Sequence, residues 1–336
     1  MKTFVKFLVF ATLLLVLAAS AAMADPPSYY QQKFEQLPLN GVTLWNDMSG
    51  SYQTYWGHDE VSTAFKSPMS TTYSGTFMAD DFADTINAPV AHVTWWGSYL
   101  NPSSTGHVNK FLISFESDIP AGGTYPFSYP GTPLLSQVVT LTGTGGTIPA
   151  GKFTEQFVST GGTPNYEALY KYNAELALPF NQVPNQVAWL KIAALVNTST
   201  AGQQPTDPVW GWHDRDFTVQ DLLASTPPLV NPGEGIVANL FDPAKPEGVD
   251  VWHFQDDAVH GQLSVTVTGN NVLDLYQWNP YPTNYVYGLD GPYDIQYVSK
   301  DLAFALSAAP EPSTVAMLLG LALMGLSSWA WRRFRH

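Results

Sequence analysis

The 336-residue chain contains no cysteine. Disulfide staples, thiol catalysis and cysteine–metal clusters are thereby excluded, and stability has to come from packing. Positive charge is the next scarcity. Of the fourteen Lys and Arg residues, five sit at the extreme ends (Lys2, Lys6, Arg332, Arg333 and Arg335). That leaves nine against essentially all twenty-eight acids, a net of about −19. Arg215 is the only arginine between those ends. So acidic a surface repels phosphate backbones and anionic lipid, which argues against nucleic acid as a partner. A sustained helical period is also missing from Asp25 to Ala309, and with it the crossover helices of an α/β fold.

Aromatic and turn-forming residues fill the space instead: eleven Trp, seventeen Tyr, eighteen Phe, and twenty-six each of Gly and Pro. With only 12% charged residues, this describes a rigid all-β extracellular domain rather than a disordered chain. Alternating or wholly apolar runs predict strands at Val90–Tyr99, Asn109–Glu116, Ser136–Leu141, Phe153–Thr160, Leu169–Pro179 and Val187–Val196. Others are predicted at Val209–Trp212, Val249–Phe254, Gly261–Thr268, Val272–Trp278 and Tyr293–Leu306. Strands without crossovers imply antiparallel sheets, hence a β-sandwich or jelly roll. One sandwich over residues 25–308 is the first expectation, and a split near Gly202–Asp207 is the alternative. The proline-rich stretch Asp221–Gly235 is expected to be a long loop.

Both ends read as targeting segments. Lys2 and Lys6 precede an almost wholly apolar run, Phe7 to Leu17, and Ala22-Met23-Ala24 supplies the small-x-small pattern of signal cleavage. Residues 1–24 are therefore expected to be a signal peptide. At the other end, Pro310-Glu311-Pro312 opens residues 309–336, an uncharged run from Val315 to Trp331 follows, and Arg332, Arg333 and Arg335 close them. As a helix the run would reach about 26 Å, enough for a thin hydrocarbon core. The arginines then hold the C-terminus in the cytoplasm and the body outside. This tripartite tail resembles the PEP-CTERM sorting signal. The resemblance implies an exported protein, anchored in the inner membrane until an exosortase-type transpeptidase cuts near Pro310 to Pro312, and then placed at the cell surface or outside the cell.

A second resemblance runs through the body. Its pieces are Met78-Ala79-Asp80-Asp81-Phe82, Val93-Thr94-Trp95-Trp96-Gly97-Ser98-Tyr99 and Phe111 to Pro120. They continue with Ala188-Trp189-Leu190-Lys191-Ile192, Trp210-Gly211-Trp212 and Asp256-Asp257-Ala258-Val259. Together they look like an uncharacterised family of secreted domains of planctomycete-like bacteria. That likeness implies a β-sandwich and carries no mechanism.

Candidate sites are few. The pairs Asp80-Asp81 and Asp256-Asp257 are the best candidate calcium ligands, since loop carboxylates can supply the oxygens calcium wants. Turn capping by one aspartate of each pair is the competing explanation. His213-Asp214, His253, His260 and His58 with Asp59 and Glu60 could make a zinc site, but no short motif brings them together. Trp210 and Trp212 share one face of a strand, where they would either stack on sugar rings or fill the core. Gly-x-Ser-x-Gly is absent, and no carboxylate sits in a distinctive hydrolase setting. The sequence therefore points to a non-catalytic envelope or matrix protein, and the resemblance of its tail to the PEP-CTERM signal implies contact with exopolysaccharide. A carbohydrate-active hydrolase or lyase and a calcium-dependent adhesive module are the alternatives.

Overall fold

A computed structural model describes residues 30–47, 49–100, 106–122, 127–142, 147–160, 168–221, 234–255, 257–269, 271–274 and 301–309. The predicted signal peptide, residues 310–336 of the PEP-CTERM tail, Asp256 and residues 222–233 of the expected proline-rich loop lie outside them. No helix of the described residues is long and apolar enough to cross a membrane.

The strands, numbered along the chain, begin with β1 (Gln31–Gln36), β2 (Val42–Asn46), β3 (Ser51–Tyr55), β4 (Asp59–Val61), β5 (Thr63–Lys66) and β6 (Thr72–Phe82). Next come β7 (Val90–Tyr99), β8 (Lys110–Ile119), β9 (Tyr129–Leu141), β10 (Lys152–Ser159), β11 (Leu169–Phe180) and β12 (Ala188–Asn197). The set ends with β13 (Trp210–His213), β14 (Glu234–Asp242), β15 (Lys245–Phe254), β16 (Val259–Thr268), β17 (Asn271–Asp274) and β18 (Phe304–Ala308). The fold is all-β, as expected, and mostly antiparallel.

Hydrogen-bonded pairing runs in a closed circuit, from β7 through β11, β10, β9, β8 and β12 to β5. Ser62 joins β5 to β4, which returns through β13 to β7. Two links in this circuit, β9 with β10 and β12 with β5, are parallel. The circuit thus joins the two layers along both sides, while β1, beyond β18, and β17, beyond β16, end the order of strands. β13, beyond Gly202–Asp207, pairs with β7 and so belongs to the same sheet.

Aromatic rings meet between the two layers. Trp95 on β7 lies edge-on to Phe111 on β8 at 5.2 Å, Phe34 on β1 reaches Phe82 on β6 at 6.0 Å, and Phe115 stacks on Phe180 at 4.3 Å. Each such ring contributes roughly 2–3 kcal/mol by leaving water. The opposite face of β6, β8 and β12 is also covered. Val267 and Val272 of the β16–β17 hairpin pack there with Leu112 and Trp189. β12 is therefore buried on both sides along nearly its whole length.

β1 and β18 complete the layer of β7. β18 lies between them, with Ala308 opposite Gln31 on one side and Val90 on the other. The first and last described strands are neighbours.

Candidate functional site

Strand parity decides the fate of the predicted calcium ligands. Asp80 and Asp81 are consecutive on β6, so their side chains leave opposite faces. Asp80 turns into the core, where the Leu302 N–H donates to its Oδ2 at 2.6 Å. The Gln36 amide nitrogen donates to the same oxygen at 3.0 Å. Burial first, and the charge of Asp301 second, push its carboxyl well above the usual range. Asp81 is buried on the other face, in register with Trp189. Asp257 is exposed beyond the end of β15. The two residues of the Asp80-Asp81 pair therefore do not converge on one ion.

Trp210 and Trp212 do share a face, but that face is the core. Both are 0% exposed. Trp210 packs edge-on to Phe111 at 4.9 Å, and the Trp212 Nε1–H donates to the Ala303 carbonyl at 2.9 Å. Their rings are out of reach of any sugar, so of the two roles open to them in the sequence they fill the core and do not stack on a ligand. Trp96, adjacent to buried Trp95, is covered in turn by Leu169 and Ala303.

Asp301, just before β18, is the centre of a buried charge network. Its Oδ2 accepts from Arg215 at 3.3 Å and from the Phe254 N–H at 3.0 Å. Its Oδ1 lies 3.1 Å from His253 Nδ1. Arg215 also donates to Glu234 at 3.0 Å and to the Val219 carbonyl at 2.7 Å. The His253 Nε2–H donates to the Gln255 carbonyl at 2.8 Å. Gln255 holds φ at 45°, uncommon for a residue with a side chain. Burial opposes charge on His253, but Asp301 and then Asp257 outweigh it and raise its pKa to about 10. Burial likewise pushes Asp301 upward, yet His253 and Arg215 hold it below the usual carboxylate range.

A second histidine is fixed in the same manner. His213 Nδ1 faces Asp59 at 3.1 Å and its Nε2–H donates to the Leu39 carbonyl at 2.9 Å. Against the cost of burial, Asp59 and Asp214 raise its pKa to about 9. A carbonyl oxygen accepts only, so a ring nitrogen directed at one must carry a hydrogen. Both nitrogens of His213 are thus engaged, Nδ1 with Asp59 of β4 and Nε2 with Leu39 in the segment between β1 and β2. His58 pairs with Glu60 at 2.9 Å instead. Two further buried pairs are Lys33–Asp84 at 3.1 Å and Lys191–Glu116 at 2.5 Å.

A cleft of about 960 Å³ opens at one end of the sandwich, where β8 ends, β9 begins and β11 turns into β12. Its polar wall carries Asp118, Asn181, Asn185, Gln186 and Gln255, and its apolar wall includes Pro179, Leu134 and Val187. Asp118 Oδ1 accepts from Trp189 Nε1 at 2.8 Å, and Gln255 Nε2 donates to Ser128 at 3.2 Å. Gln255 thus links the cleft wall to the turn that follows His253.

Residues 33–260 match the family profile described as a domain of unknown function, DUF7901. The chain belongs to the DUF7901 family. Residues 308–333 match the PEP-CTERM protein-sorting motif. The DUF7901 protein is therefore exported, held by its C-terminal motif before cleavage, and processed by an exosortase. Neither the comparison with curated proteins nor that with solved structures gives a match.

The DUF7901 match takes in β2 through β15, while Asp301 and β18 lie beyond it. The centre of the charge network thus comes from the segment that joins the DUF7901 region to the sorting motif. Sequence reasoning missed this network. The one available signal was that Arg215 is the sole arginine of the body, and so acidic a chain places its only guanidinium where carboxylates are buried.

Proposed function

We propose that the DUF7901 body is a non-catalytic module of the cell envelope or matrix that holds a neutral polysaccharide in the cleft between β8–β9 and the β11–β12 turn. The lining of that cleft carries the reading. Side-chain amides of Asn181, Asn185, Gln186 and Gln255 offer both donors and acceptors, which suits the hydroxyls of a sugar. Pro179, Leu134 and Val187 offer apolar surface to its C–H faces. A net charge of about −19 on the body disfavours uronate or phosphate polymers.

Support for a non-catalytic role comes from the carboxylates. Asp301, Glu116, Asp84 and Asp59 each face a buried cation, and in the cleft Asp118 accepts the Trp189 indole. Acid–base hydrolysis would need two carboxyl groups facing one bond. After cleavage the body is proposed to remain at the cell surface or in the surrounding matrix.

Calorimetric titration of the exported protein, purified in detergent with its C-terminal segment in place, tests this. Neutral hexose oligosaccharides are expected to bind, and an alginate of equal length is not. The double variant Asn181→Ala, Gln186→Ala is expected to weaken binding at least tenfold without lowering the melting temperature, because both side chains are exposed. Release of new reducing ends would instead establish the hydrolase reading.

A further inference from the structure

The geometry points to a zinc(II) site formed by His253 Nδ1, Asp257 Oδ1 and Asp301 Oδ1, which staples the turn after β15 to the segment that leads into β18. This inference does not rest on the polysaccharide reading.

Three atoms of the right kind converge. One ligand atom from each residue lies within 4.8 Å of the other two. His253 Nδ1 is 3.1 Å from Asp301 Oδ1 and 3.9 Å from Asp257 Oδ1. Zinc bonds of about 2.0–2.2 Å at tetrahedral angles place ligand atoms roughly 3.3–3.5 Å apart. The observed spacings bracket that value, and the Asp257 side chain, 63% exposed, can close the remaining gap. Solvent on the Asp257 side supplies the fourth position. One imidazole nitrogen with two carboxylate oxygens suits zinc, whereas calcium requires six to eight oxygens.

Support around the ligands matches what metal sites use. The His253 Nε2–H is committed to the Gln255 carbonyl, which leaves Nδ1 facing Asp301 and Asp257. Asp301 is oriented through its other oxygen by Arg215 and the Phe254 N–H. His253 and Asp301 are thus held in place by groups that do not occupy the proposed site.

The probe is Zn²⁺ alone, added to the untagged exported protein in detergent. One equivalent is expected to bind, with a rise in melting temperature. Asp257→Asn is expected to weaken uptake at least tenfold while the metal-free protein still unfolds in one cooperative transition, because that side chain is mostly exposed. His253→Gln is expected to weaken uptake as well, and His58→Gln, at a histidine outside the site, is expected to have no effect. Co²⁺ in place of Zn²⁺ should give the visible absorption of a four-coordinate ion, lost in Asp257→Asn. Absence of stoichiometric uptake, uptake unaltered in Asp257→Asn, or preference for Ca²⁺ over Zn²⁺ in competition would each overturn the assignment.

Discussion

His213 and His253 carry their charge in the interior, and that gives the protein a pH dependence of definite sign. Their folded pKa values, about 9 and about 10, lie above the ordinary 6.5. A group whose pKa is raised by folding contributes stability that is complete below its unfolded value and fades as pH climbs through the folded one. Both contributions are therefore whole below about pH 6.5 and are lost between there and pH 9 to 10. Asp80 acts in the same direction from lower pH, because its raised carboxyl stays neutral in the fold after the unfolded chain has ionised. Thermal melts are expected to fall steadily from pH 6 to pH 10, by up to about 1.4 kcal/mol per pH unit for each titrating histidine. His213→Gln is expected to reduce that slope by about half between pH 6.5 and pH 9, where His253 still titrates. A melting temperature constant across this range would contradict buried imidazolium at both positions. None of these partnerships was legible from residue order. His213 meets Asp59, and His253 meets Asp301, only after the strands have been laid side by side.

Among the elements, β7 was the most readable and β1 the least. Val90–Tyr99 is rich in valine and aromatic residues, and the observed strand has the same limits. The alternation of Phe111, Ile113 and Phe115 likewise marks the core face of β8. β1 reads Gln-Gln-Lys-Phe-Glu-Gln, with one apolar residue, and was not predicted. It becomes a strand because β18 pairs with it and Asp84 neutralises the buried Lys33 ammonium, both long-range effects. β6 was missed for a similar reason, since Gly75 and two aspartates interrupt its pattern. Burial of β12 on both faces does show in its own nearly continuous apolar run, although the β16–β17 hairpin that covers it comes from far along the chain. The seam between β7 and β13 rests on a single glycine. A Cβ at Gly97 would overlap the Gly211 carbonyl and the Trp210 ring. Gly97→Ala is expected to cost about 1–3 kcal/mol, as overpacking does, and to open the circuit at β13. Urea unfolding and amide exchange of Trp212 would measure this, and a variant as stable as the parent would show that the seam yields without cost.

Over the whole molecule, the sorting motif begins inside the fold. It starts at Ala308, the last residue of β18, so almost no linker separates the sandwich from the cleavage region. The mass of the C-terminal peptide from native cells is expected to place the new terminus between Pro310 and Pro312. Glu311→Ala is expected to leave Arg335 on the protein and retain it in the membrane fraction. An intact C-terminus in the parent protein would show instead that the tail is a permanent anchor. That tail was the most legible part of the sequence, because a sorting signal must be recognised as a linear segment.

β18 also decides how the molecule meets mechanical force. A tug applied at its C-terminal end and directed along the strand strains the ladders to β1 and β7 together, instead of parting their rungs one at a time. Whatever holds the protein by that end, before or after the exosortase cut, grips it through the geometry in which a sheet yields last.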